Sequence, residues 1–264
     1  MTIKKVSGIE IYVEVMGEGP PLLLHPGFST NHLLWKKHLH PLTSHFTLII
    51  YDVRGSGKSS APPPPYTLDL LVEDAAALLK ELNIPKAHMM GFSMGSLITQ
   101  QMALTYPDTV DKCLLITPFA TLPEAAKWQL RTTSKLMAMG VDMRVIIETV
   151  LPWLYSNTFL TQKEHTDEVI ENMLNNPLPQ SPEGYLGQTN IPLTTDLTDK
   201  LSQIEKPTMI LAGEEDLLTP LHSAHQLHKG IKGSILKTVP DMGHMIIVEK
   251  PEIVIETAKE FFLN

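Results

Sequence analysis

The stretch Gly91-Phe92-Ser93-Met94-Gly95 limits what this chain can fold into more than any other, because it demands a strand, a very tight turn and a helix in that order. Ahead of it, Lys86 to Met90 is an apolar segment that reads as a buried strand. Behind it, Met94-Gly-Ser-Leu-Ile-Thr-Gln-Gln-Met-Ala-Leu-Thr-Tyr106 has helical apolar spacing and stops at Pro107. A serine at the apex of such a turn occupies a sparsely populated backbone conformation, and side chains two residues to either side would collide. Gly91 and Gly95 remove that collision, and Ser96 keeps the next position small. Two glycines around a serine are weak on their own; the flanking strand and helix make the turn specific.

A serine hydroxyl at its ordinary, very high pKa is a poor nucleophile, so Ser93 can perform chemistry only beside a histidine base and an orienting acid. Lys206-Pro-Thr-Met-Ile-Leu-Ala-Gly213 reads as a buried strand, with Glu214-Glu215-Asp216 past its carboxyl end and Pro220 opening the next helix. A second short strand, Ser234 to Val239, runs into Pro240-Asp241-Met242-Gly243-His244, where Gly243 frees the loop to turn the imidazole inward. The chain order is serine, acid, histidine, unlike the orders of the chymotrypsin and subtilisin types.

Further segments agree with that order. Asp52-Val-Arg-Gly-Ser-Gly-Lys-Ser59, Gly213-Glu-Glu-Asp216-Leu-Leu-Thr-Pro220, Met242-Gly243-His244 and Pro251-Glu252 follow one another as the loops of a known family do. Over essentially its whole length the chain resembles α/β-hydrolase-fold proteins of the esterase and enol-lactonase type. The resemblance implies Ser93 as nucleophile, Asp216 as acid and His244 as base. It also implies an oxyanion hole from the backbone N–H groups of Met94 and Phe28. The family usually shows His-Gly-Phe where this chain has Pro26-Gly27-Phe28, with His25 one place earlier; His25 is expected to support the backbone or, alternatively, to line the site.

The implied reaction is hydrolysis of a carboxylic ester or (enol-)lactone through an acyl-enzyme. Carbon–carbon bond hydrolysis and cofactor-free peroxidation are variants on the same triad. A reading of another class is a slow-hydrolysing ligand sensor that acts through a protein partner, because the loop Pro26 to Asn31 resembles that of such relatives. Serine at position 93 argues against haloalkane dehalogenase or epoxide hydrolase chemistry, where the nucleophile is an aspartate.

Organisation along the chain indicates where substrate choice resides. Alternation in Ile9-Glu-Ile-Tyr-Val-Glu-Val15 predicts an antiparallel strand, and strands then alternate with helices as far as Thr117. Strand signals vanish from Phe119 to about Thr195 and resume afterwards. The expected architecture is an α/β, mostly parallel, doubly wound sheet built from 1–119 and 196–264, with a helical cap inserted at 120–195. Capping boxes at Thr121 to Glu124 and Thr161 to Glu164, a cap at Asp142, a stop at Gly140 and a start at Ser181-Pro182 mark the cap helices. Trp128, Met139 and Trp153, with Met137, Met143 and Tyr185, are expected to roof a deformable acyl pocket. Asp74 reads as a surface or structural carboxylate.

Two patterns mislead. Gly55-Ser-Gly-Lys-Ser59 suggests a phosphate loop, yet the required first glycine is Asp52, and the prolines at 62–65 cannot continue into a helix. His222, His225 and His228 share a helix face without a completing cysteine or carboxylate pair, which reads as a solvated face. No cofactor or metal is therefore expected. A net charge of −8 repels phosphate backbones, so nucleic acid is not an expected partner. The start lacks a signal-peptide apolar stretch, no run is long enough to span a bilayer, and Cys113 is alone, which together predict a cytoplasmic protein with a small-molecule substrate and no membrane partner.

Overall fold

Near-continuous apolar runs such as Leu22-Leu-Leu24 and Leu114-Leu-Ile116 belong in strands buried on both faces. The computed structural model, which describes residues 2–264, places them at the centre of one eight-stranded sheet. The strands are β1 (Thr2–Val6), β2 (Ile9–Met16), β3 (Pro21–His25), β4 (Thr47–Tyr51), β5 (Ala87–Phe92), β6 (Val110–Ile116), β7 (Thr208–Gly213) and β8 (Ile235–Val239). Their spatial order is β1-β2-β4-β3-β5-β6-β7-β8. β2 pairs antiparallel with β1 and β4; every other pairing is parallel.

Side chains alternate between faces along each strand, so each face needs its own cover. Leu23, Met89, Leu115 and Ile210 pack with α2 (Leu68–Glu81), α3 (Met94–Thr105) and α9 (Leu221–Gly230). Leu22, Leu24, Leu114 and Leu211 pack on the other side with α1 (His32–Leu39) and α11 (Pro251–Phe262), next to the short α10 (Ile246–Glu249). The sheet is doubly wound. The parallel strands aim their carboxyl ends at one edge, where ligands of such sheets bind.

Between β6 and β7 lie five α-helices: α4 (Glu124–Ala138), α5 (Met143–Leu154), α6 (Asn157–Leu160), α7 (Lys163–Leu174) and α8 (Pro182–Thr194). They hold a separate apolar cluster of Ile147, Leu151, Tyr155, Val169 and Ile170. Asp142 accepts from the Arg144 N–H and Ser181 from the Gly184 N–H, which caps α5 and α8. Neither expected capping box forms. Thr121 instead bridges to Asp196, leaving Pro123 to precede α4, and Thr161 is used to end α6, so Gln162 precedes α7. The sequence reading had no α6: four residues are too few for a helical period, and the only local sign is Ser156, which accepts from the Phe159 N–H.

α8 is joined to the sheet loops by Gln188, which accepts from the Ser29 N–H at 3.2 Å and donates to the Arg54 carbonyl at 2.9 Å. Arg54 is itself held by two bonds to Asp74, at 2.7 and 2.8 Å, with both side chains buried. Burial pushes the Asp74 carboxyl above its usual value, and Arg54 opposes that shift. Asp74→Ala would strand a buried guanidinium, so it should lower unfolding free energy by about 3–5 kcal/mol, measured by urea denaturation. A loss below about 1 kcal/mol would mean that Arg54 escapes to solvent.

Candidate active site

β5 ends at Phe92 and α3 begins at Met94, so Ser93 alone makes the turn between them. Its backbone sits at φ 52° and ψ −117°, a region that ordinary side chains avoid. Such strain costs about 1–3 kcal/mol and persists because the strand and helix on either side fix it. A Cβ at Gly95 would run into the His25 and Pro26 carbonyls, and one at Gly91 into the Gly95 carbonyl and the Thr99 hydroxyl.

Loops from two further strand ends converge on this serine. Asp216 follows β7 and His244 follows β8. His244 Nε2 lies 2.8 Å from Ser93 Oγ, and His244 Nδ1 lies 2.8 Å from Asp216 Oδ2. Asp216 Oδ1 accepts from the Leu218 and Thr219 N–H groups at 2.9 and 2.8 Å, while the Thr219 hydroxyl donates to Oδ2 at 2.7 Å. With that carboxylate fixed, Nδ1 carries the imidazole proton and Nε2 turns a lone pair toward the serine hydroxyl. All three side chains are buried. The neighbouring acids point elsewhere: Glu214 accepts from the Thr238 hydroxyl and Glu215 from the Asn157 N–H.

Above the serine is a cavity of about 1140 Å³ lined by Phe28, Met94, Phe119 and Leu218 from the strand-end loops and flanking helix of the sheet and by Leu130, Ile147 and Trp153 from the helices between β6 and β7. Met94 occupies the first turn of α3, where a backbone N–H has no acceptor within the helix. Phe28, in the loop after β3, packs its ring edge-on against Tyr185 with centroids 5.1 Å apart. Both residues line the same cavity as Ser93.

Three expected pocket residues lie elsewhere. Trp128 is 61% exposed and Met139 77% exposed, so neither lines the cavity. The wall of α4 is formed by Ala126, Leu130, Thr133 and Met137, a helical period that puts Trp128 on the opposite face, under Arg131. Met139 follows the end of α4. His25 is wholly buried below the site, with Nδ1 2.8 Å from the Tyr51 hydroxyl, and burial drags its pKa down to about 3. The neutral imidazole there bonds to Tyr51 of β4 and is not part of the cavity wall. Extending the period from Ala126 would have found Leu130 and Thr133; nothing in the sequence marks Leu218 as a cavity residue.

The remaining histidines and the cysteine stand apart from this centre. His222 and His225 are exposed on α9, and His228 Nδ1 meets the Ser234 hydroxyl at 3.0 Å. Cys113 is buried within the sheet, which pushes its thiol up to about 12. Among the described residues, no helix is long and apolar enough to cross a membrane.

A family model described as the alpha/beta hydrolase fold matches residues 20–185. 3-Oxoadipate enol-lactonase 2 of Acinetobacter baylyi is 28% identical over 233 residues, covering 88% of this chain and 85% of that protein. Among solved structures, a hydrolase from Pseudomonas aeruginosa PA01 has a TM-score of 0.88 at 30% identity, covering 99% of this chain and 97% of that one. A thermophilic esterase from Thermogutta terrifontis has a TM-score of 0.87 at 28% identity, covering 99% and 98%.

Proposed function

Since the chain is an enzyme that belongs to the α/β-hydrolase fold family, we propose that it is a serine hydrolase cleaving a carboxylic ester or lactone through an acyl-enzyme on Ser93. The observation that carries this reading is the unbroken relay from Ser93 Oγ to His244 to Asp216, with both links at 2.8 Å. His244 Nε2 takes the hydroxyl proton as Oγ attacks the carbonyl carbon, and Asp216 stabilises the imidazolium that results. The Phe28 and Met94 N–H groups receive the oxyanion. Collapse of the tetrahedral adduct expels the alcohol, which takes its proton from His244; in a lactone that alcohol stays tethered to the acyl group. Water then enters against the acyl-enzyme, with His244 again as base.

The helices of 120–195 act as the cap that selects the substrate. A cavity of about 1140 Å³ exceeds the roughly 300–1,000 Å³ of most small-molecule sites, which favours a bulky, largely apolar acyl group. The enol-lactonase and esterase names of the similar proteins support acyl–oxygen cleavage.

A panel of esters and lactones, with intact-mass detection of a fluorophosphonate adduct, tests the proposal. Turnover of at least one class and a single adduct on Ser93 are expected. A protein that neither turns over any panel member nor forms the adduct would refute it. Within the same panel, Leu130→Ala or Trp153→Ala should reorder short against long acyl chains by roughly 1–3 kcal/mol in kcat/KM. An unchanged ranking in both variants would move substrate selection to the loops of the sheet.

A further inference from the structure

The turn between α5 and α6 is bonded to both loops that carry the acid and the base. The Leu154 carbonyl accepts from the Met245 N–H at 2.8 Å, one residue past His244. Ser156 donates its N–H to Glu249 Oε1 at 3.1 Å and its hydroxyl to Glu249 Oε2 at 2.5 Å. Glu249 Oε1 also accepts from the Gly243 N–H at 3.1 Å, one residue before His244. Asn157 N–H donates to Glu215 at 2.6 Å, and the Glu215 N–H donates to the Met242 carbonyl at 2.9 Å. Residues 154–157 are thereby keyed to both sides of the histidine and to the neighbour of Asp216.

Glu249 is the hub of this contact. No step of the hydrolysis uses it, yet a half-buried carboxylate is retained with three donors converging on it. Gly243 packs so closely on the turn that a Cβ there would stand 2.5 Å from the Ser156 nitrogen and 2.6 Å from the Tyr155 carbonyl carbon. The peptide preceding the histidine therefore has one face against the cap turn and its N–H on the carboxylate. Leu154, Tyr155, Ser156 and Glu249 also line the cavity, so whatever fills it presses on the same turn.

We propose that Glu249 is a positioning residue for His244: it fastens the Gly243–His244 peptide to the turn at 154–157, so that the imidazole and the cap hold one geometry. This rests on the reading of His244 as the base. The bonds of the carboxylate run to Ser156 and Gly243 and not to Ser93 or the imidazole, so it acts on the base through the loop.

Glu249→Ala, Glu249→Gln and Glu249→Asp, each assayed well below its own unfolding transition, test the proposal against the parent. Misplacing a reacting group by an ångström costs up to about 100-fold, so Glu249→Ala should lower kcat and the rate of fluorophosphonate labelling by about 10- to 100-fold. KM for a small acetate ester should stay within about twofold, since ground-state binding is not what is removed. Gln is isosteric: its carbonyl can accept from the Gly243 and Ser156 N–H groups while its amide donates to the Ser156 hydroxyl, so both rates should recover to within about threefold. Asp keeps the charge but is a methylene too short to span the donors, and should fall with Ala; it decides the matter if the Ala variant does not fold. A folded Ala or Asp variant with the parent labelling rate would overturn the proposal, as would losses confined to KM or thermal stability, or a Gln variant as poor as Ala. A parent protein inert to the label would instead refute the serine-hydrolase reading itself.

Discussion

Ser93→Ala should abolish both ester turnover and fluorophosphonate labelling, while the protein remains folded. Removing the nucleophile of a serine triad lowers kcat by about a millionfold, because the remaining groups have nothing to activate. Stability should barely move. The hydroxyl makes one hydrogen bond, to His244 Nε2, at a site open to the cavity, where water can take its place, and Ala occupies the strained φ of 52° no worse than Ser. The expected shift in the thermal midpoint is within a few degrees, as for substitutions that create neither a cavity nor a buried unpaired charge. A variant that keeps its activity would show that another nucleophile acts. A variant that loses activity together with its fold would make the loss uninformative about chemistry, so circular dichroism and turnover must be measured on the same sample.

The strand, turn and helix around Ser93 were legible because each makes a local demand on residue type. Gly91 and Gly95 are forced by backbone atoms that leave no room for a Cβ, and the fully buried strands announce themselves as apolar runs. Asp74 and His25 were harder. A carboxylate on a helix and a histidine in a loop look alike whether buried or exposed, and only the arrival of Arg54 and Tyr51 from distant parts of the chain decides it. The pocket was read least well, because helical period says that a helix has an apolar face without saying which apolar residues fall on it. Trp128 and Met139 are apolar residues of the same segment, whereas the cavity wall follows the row from Ala126 to Met137. The Glu249 contact was invisible for a different reason: it joins backbone N–H groups of two loops far apart in sequence, and backbone donors leave no mark on composition.

Asp216→Asn should lower kcat by about ten thousandfold with little change in fold, and the surroundings of the carboxylate show why an isosteric change is so damaging. Oδ1 sits against two backbone donors, the N–H groups of Leu218 and Thr219. In the Asn variant the amide oxygen must take that position, because the NH₂ group would face donors there. The NH₂ group then occupies the Oδ2 position, 2.8 Å from His244 Nδ1, and donates where the carboxylate had accepted. Nδ1 must become the acceptor, so the imidazole proton moves to Nε2 and points at Ser93 Oγ. A donor aimed at the hydroxyl cannot remove its proton. Glu215→Gln provides the contrast: its amide oxygen can still accept from the Asn157 N–H, so kcat should stay within about tenfold of the parent. Steady-state kinetics on the best ester of the panel, with thermal midpoints for each variant, separates the two. A large loss in Glu215→Gln with a mild one in Asp216→Asn would transfer the orienting role to the neighbouring residue, and the histidine loop would then have to adopt a different position during turnover.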